Sequence, residues 1–241
     1  MTSASAIFAC SGVALSLGGR QILREVDLHV ARGEVLGLIG PNGAGKTSLF
    51  EVLSGRYRPE AGRVVMDGED ITGTDIVRRA RLGLARTYQS PVVPAALTVA
   101  ETFRAARLSH RPFQSRHRAE WAARLVNLTV PWTRPAGSLD TFDRRKLLLA
   151  CLLMRRPKVL LMDEPASGLI NTEIDELDLM LRMLVDEYHL GVVVIEHRLE
   201  LLEALADRVT VLNLGEVIAE GAPGTVFEDP AVRAAYFEGA A

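Results

Sequence analysis

Gly40-Pro41-Asn42-Gly43-Ala44-Gly45-Lys46-Thr47 is the stretch of this 241-residue chain that decides its fold class. A glycine, four free positions and then Gly-Lys-Thr make a loop whose glycines let backbone N–H groups turn inward around phosphates. The apolar run Val35 to Ile39 before it reads as a buried parallel strand. The segment from Thr47 to Leu53, closed by Gly55, reads as a helix. Strand, loop and helix in that order set the positive end of the helix against phosphate. Lys46 then reaches the outer phosphates as a point charge, and the Thr47 hydroxyl becomes a Mg²⁺ ligand. The binding set expected here is Gly40, Pro41, Asn42, Gly43, Ala44, Gly45, Lys46, Thr47 and Ser48.

Working outward, strands alternate with helices on both sides of this loop. Ile7 to Leu17 and Val26 to Val30 read as strands around a Gly18-Gly19 turn, Arg63 to Met66 as a strand ending in an Asp67-Gly68 hairpin turn, and Leu84 to Tyr88 as another strand. From Thr98 to Arg134 the spacing turns helical, and seven arginines (104, 107, 111, 116, 118, 124, 134) face only Glu101 and Glu120. That excess fits a solvated helix face best, and a partner or anionic lipid headgroups second. A further helix runs to Met154. From Val159 the α/β rhythm resumes, with strands at Val159 to Met162, Val192 to Ile195, Arg208 to Leu212 and Val217 to Ala219. Helices are expected at Thr172 to Tyr188, Leu199 to Leu205 and Pro230 to Phe237. The fold class is α/β: a P-loop NTPase core with a mostly parallel sheet, an N-terminal antiparallel β subdomain and an inserted helical subdomain. Residues 1–90 and 157–241 are assigned to the core and about 91–156 to the insert, within one domain spanning 1–241.

Composition narrows the function. Apolar residues make up 48%, enough for a substantial core, and the net charge of −2 gives no reason to expect nucleic-acid binding. The longest notable apolar run, Leu147 to Met154, falls far short of a membrane span of roughly 20 residues, so a soluble or peripheral protein is expected. Cys10 and Cys151 form no CxxC pair, which fits a reducing cytosol. Ile7-Phe8-Ala9-Cys10 has the outline of a lipoprotein cleavage site, but no basic residue precedes Arg20, and an ordinary first strand is the better reading.

Leu160-Leu161-Met162-Asp163-Glu164 is an apolar strand ending in two carboxylates. Such a pair also serves as a helix N-cap. Behind a phosphate loop it fits catalysis, with Asp163 in the Mg²⁺ shell and Glu164 as general base toward a water aimed at the γ-phosphate.

With these residues in place the chain resembles the ATPase subunit of ABC transporters, from about Ile7 to Phe237. Asn42-Gly43-Ala44 within the loop and Asp163-Glu164-Pro165 match that family. The resemblance implies that Gln89 touches Mg²⁺ and the permease, and that His197, 34 residues after Asp163, touches the γ-phosphate. Gly83-Leu84-Ala85-Arg86-Thr87-Tyr88-Gln89, Leu97 to Glu101, Val194-Ile195-Glu196-His197, Asp163 to Leu169 and the ending Asp229 to Tyr236 look like the branched-chain amino-acid importer class. That class also carries urea, amides and aromatic acids. The resemblance implies ATP and Mg²⁺ as ligands, ATP hydrolysis, transmembrane permease subunits, a second ATPase, an indirectly linked solute-binding protein, and a place on the cytoplasmic face of the plasma membrane.

Two departures stand out. The family signature Leu-Ser-Gly-Gly-Gln, which in a dimer reaches the other subunit's γ-phosphate, reads Leu139-Asp140-Thr141-Phe142-Asp143 here. An ionised Asp140 cannot donate a hydrogen bond and opposes phosphate, at about 4 kcal/mol per charge pair for roughly 4 Å and an effective dielectric near 20. Phe142 is expected to add bulk where backbone approaches closely, and Asp140 or Thr141 also fits a helix N-cap. The dimer-contact aspartate is Ile170, and the adenine-stacking aromatic falls near Leu17, a loss of roughly 1–3 kcal/mol of stacking. These departures lead to an expected asymmetric dimer, in which this chain needs a partner ATPase with an intact signature. The competing expectation is an ABC-like subunit that holds ATP with little turnover.

Overall fold

The computed structural model describes residues 6–109 and 112–235. Its centre is a six-stranded sheet in the order β10-β9-β3-β8-β7-β6. The strands are β3 (Val35–Ile39), β6 (Leu84–Arg86), β7 (Val159–Asp163), β8 (Gly191–Ile195), β9 (Arg208–Asn213) and β10 (Glu216–Gly221). Five are parallel, and β10 is antiparallel to β9. Every residue of β3, β7 and β8 is buried, as a strand covered on both faces requires.

The period of two along these strands divides the core. Leu36, Leu38, Leu161, Val193 and Ile195 face one hydrophobic cluster, which also holds Phe8, Phe50 and Leu53. Val35, Ile39, Leu160, Met162, Val192 and Val194 face the other, with Leu147, Leu181 and Leu202. The first cluster is roofed by the antiparallel sheet β2-β1-β4-β5. Its strands are β1 (Ala6–Leu17), β2 (Arg20–Ala31), β4 (Ala61–Met66) and β5 (Glu69–Asp70), and helix α1 (Lys46–Ser54) packs in the same layer. The second is covered by α5 (Thr141–Leu153), α6 (Asn171–Tyr188) and α7 (Leu199–Leu205).

Some element bounds differ from expectation for local reasons. Strand β2 starts at Arg20 rather than Val26, because an extra residue at Glu25 (φ 49°) makes a bulge and hides the alternation. Strand β6 stops at Arg86, two residues early. Helix α2 (Ile76–Leu82) was not anticipated, although Asp75 caps it by accepting from Arg78 N at 2.8 Å and Gly83 ends it at φ 113°. Its Arg79 is fully buried and donates to the carbonyls of Val52 and Leu53 at the end of α1. Between β6 and β7 the chain is helical at α3 (Val99–Leu108), α4 (Arg116–Leu125) and α5. The short α8 (Pro223–Phe227) also went unforeseen, and α9 (Pro230–Arg233) is the start of the expected tail helix. Of the expected features, Arg111, Tyr236 and Phe237 lie outside the described residues.

Candidate nucleotide site

The phosphate loop bridges β3 and α1, at the carboxyl end of the parallel strands. Gly40 has φ 154°, and a Cβ there would overlap the Leu212 carbonyl. Gly45, at φ 107°, is the left-handed residue at the helix start. No acidic side chain sits in the first turn of α1, so its N-terminal partial charge is left for an anion. Lys46 is 7% exposed and its ammonium donates to the carbonyls of Gly40 and Pro41 at 2.5 and 3.0 Å. Burial lowers its pKa, while Glu164 and Asp163 act in the opposite sense.

A cavity of about 520 Å³ opens over this loop. Asn42 to Ser48, Glu164, Ile195, His197 and Leu214 line it, together with Arg20, Gln21, Ile22 and Arg24 from β2. Leu17 does not line it; Arg20, its cross-strand partner across the glycine turn, does.

Glu164 follows β7 and holds a left-handed backbone at φ 46°. Its two oxygens have separate partners: Gln89 Nε2 donates to Oε2 at 2.6 Å, and His197 Nε2 lies 3.1 Å from Oε1. Side chains from three loops therefore meet at one carboxylate. Asp163, one residue earlier, has a different partner. It lies 3.8 Å from Arg86, whose buried guanidinium also binds Glu51 at 3.0 Å, the Ser54 hydroxyl at 2.8 Å and the Phe50 carbonyl at 3.2 Å. Burial raises the Asp163 pKa, and Arg86 works against that rise.

The donor set fits Mg²⁺ of the kind that keeps waters and substrate oxygens. Thr47, Gln89 and Asp163 offer a hydroxyl, an amide and one carboxylate, all hard oxygens. Among the described residues no group of three His, Cys, Asp or Glu is placed to hold a metal by itself. A cation here would therefore depend on phosphate oxygens for the rest of its shell, and would supply charge neutralisation there.

The segment Leu139 to Asp143 forms the entry to α5. Asp140 is the N-cap, its Oδ1 accepting from Asp143 N at 2.7 Å. Asp140 and Thr141 are exposed. Phe142 turns inward: it is 6% exposed and its ring packs under the Lys146 ammonium at 4.2 Å. An apolar ring gains more from burial and a cation–π contact than from solvent. Burial and the Asp140 charge raise the Asp143 pKa.

The role of Arg86 beside Asp163 was missed; a lone arginine closing a buried strand was the available signal.

A sequence model described as ABC transporter matches residues 23–167. The chain belongs to the ABC transporter family. Within that family it is an ATP-binding cassette, the class of ATPase that is coupled to transport. A second model, branched-chain amino acid ATP-binding cassette transporter, matches residues 216–237. The cassette is 34% identical over 247 residues to the high-affinity branched-chain amino acid transport ATP-binding protein BraF of Pseudomonas aeruginosa, covering 95% of this chain and 97% of that protein. It is 31% identical to LivG of Escherichia coli, a protein of the same description, over 95% and 97%. Among solved structures, the ADP conformation of the cassette MJ1267 superposes with a TM-score of 0.87 at 26% identity, over 96% and 98% of the two chains. A nucleotide-free cassette gives 0.84 at 25%, with the same coverage.

Proposed function

We propose that this chain is the ATP-hydrolysing subunit of an importer for branched-chain amino acids or related small polar or organic-acid solutes. The observation that carries the hydrolytic reading is the Glu164 carboxylate held between Gln89 and His197 beside the phosphate loop. In this reading Glu164 is the general base, His197 and Gln89 orient it and the water, Lys46 and the loop amides hold the phosphates, and Thr47, Asp163 and Gln89 face Mg²⁺. The names of the relatives support the amino-acid cargo.

Two surfaces support the reading of the partners. Residues about 91–156 act as the helical subdomain, and a groove of about 330 Å³ between Thr87–Val92 and α5–α6 is lined by Tyr88, Val92, Leu148, Leu152 and Met180. A membrane permease seated there would touch the loop that carries Gln89, placing the chain on the cytoplasmic face with a solute-binding protein linked only through the permease. No helix among the described residues is long and apolar enough to cross a membrane. Asp140, exposed at the start of α5, disfavours a neighbour's γ-phosphate, which supports an asymmetric pair with a second ATPase that has an intact signature.

The second reading, a cassette that holds ATP with little turnover, is favoured by the altered signature at Asp140 and by Leu17, which offers adenine no ring. Transport by the assembled importer separates the two. Glu164→Gln abolishes uptake if hydrolysis drives it, and uptake that persists in the variant overturns the hydrolytic reading.

A further inference from the structure

Glu164 occupies a backbone conformation that a non-glycine residue adopts only when its surroundings enforce it. Three contacts enforce it. Glu164 N donates to Ile195 O at 2.9 Å, joining the end of β7 to the end of β8. Ala166 N, two residues on, donates to Glu196 Oε1 at 2.7 Å. The Ser167 carbonyl accepts from Arg145 Nη2 of α5 at 2.5 Å.

Glu196 is the unusual member. It is 3% exposed, and its second oxygen accepts from the backbone N–H of His197 at 3.2 Å. One buried carboxylate thus holds the loop that carries Glu164 and the loop that carries His197. Its charge also leads those acting on Arg145. A carboxylate is hard to bury without such partners, and an apolar side chain would serve the core better here.

We propose that Glu196 is a positioning residue: it clamps the Glu164 and His197 loops together, while Arg145, donating to the Ser167 carbonyl, joins the Glu164 loop to α5. The clamp sets the 3.1 Å approach of His197 to Glu164 without itself touching nucleotide. Movement of α5 pulls on Ser167, and the pull reaches the base and the histidine together.

The turnover arm of the test rests on the proposed function; the spectroscopic arm does not. In the full chain with ¹³C-labelled histidine, the His197 ring signal is assigned with His197→Ala, and Glu164→Gln gives its position without the carboxylate neighbour. Glu196→Met is expected to move the signal toward that Glu164→Gln position, and Glu196→Gln, which keeps one acceptor oxygen, to move it part of the way. ATP affinity, measured by calorimetry, is expected to stay within about twofold of the parent in both variants, since no phosphate contact is lost. In the assembled transporter kcat falls about tenfold for Glu196→Gln and about a hundredfold for Glu196→Met, with KM for ATP nearly unchanged. An unmoved His197 signal in Glu196→Met overturns the clamp. So does a loss of activity that appears in KM and not in kcat. If neither the parent nor the variants hydrolyse ATP, the proposed function fails, and the histidine signal still decides the clamp.

Discussion

Gln89 Nε2 and His197 Nε2 approach opposite oxygens of one carboxylate, at 2.6 and 3.1 Å from Glu164. The three side chains come from three separate loops, so this convergence makes the base a point where three segments report on one another. Glu164→Gln removes the proton acceptor and keeps the shape. Hydrolysis by the assembled transporter is expected to fall by about 10²–10⁴-fold while the chain still binds ATP, read as phosphate release beside calorimetry.

Lys46→Ala acts on the other half of the site. The ammonium that bridges Gly40 and Pro41 is the cation held within the phosphate loop itself, so the variant is expected to lose ATP and inorganic tripolyphosphate alike. A drop of about tenfold or more in both affinities is the expected outcome, since a charge-assisted contact is worth about 1.5–3 kcal/mol.

Asp163 gives a pH signature. Burial raises its pKa above the unfolded value, so between the two values the folded chain binds more protons than the unfolded one. Stability therefore falls as pH rises through that window, and the deficit stays at higher pH. Asp163→Asn removes the buried charge while Arg86 keeps Glu51. Its Tm is expected to exceed the parent's by a few degrees at pH 8, with the gap narrowing toward pH 4 in thermal melts, while hydrolysis is lost.

At the start of α5 the two departures from the signature should behave differently. Asp140→Ser keeps an N-capping oxygen and removes an exposed charge, so its stability stays within about 1 kcal/mol of the parent. With a partner ATPase bound, this variant is expected to raise turnover at the partner's nucleotide. Phe142→Gly instead empties a buried site and is expected to destabilise by about 3–5 kcal/mol in urea unfolding.

Leu17 and Arg20 are cross-strand partners, and only Arg20 lines the nucleotide cavity. Leu17→Tyr places a ring on the same face of the hairpin, and base stacking is worth roughly 1–3 kcal/mol. ATP affinity is expected to rise by about fivefold or more, while tripolyphosphate affinity, which has no base to stack, stays as it was.

Much of this was legible in sequence because its causes are local. The phosphate loop needs glycines at fixed spacing, and β3, β7 and β8 announce themselves as apolar runs with no polar face. Gln89, Glu164 and His197 were each named in advance, although nothing in their spacing gives the distances between them. Helix α2 carried its signals at Asp75 and Gly83 and was overlooked between stronger elements. Glu196 was quoted only as part of a resemblance, since its role exists only once β7 and β8 lie side by side. The inward turn of Phe142 depends on Lys146 one turn along and on the cluster under α6, neither visible from the five-residue segment.

That inward turn also bears on the history open to this chain. A ring that stayed on the surface would leave the segment free to drift back by single substitutions. Phe142 is instead part of the core, so a glycine at that position becomes harmful before any gain of function appears. Position 142, unlike Asp140, is entrenched: a glycine there would need compensating changes around Lys146 and α6 to come first.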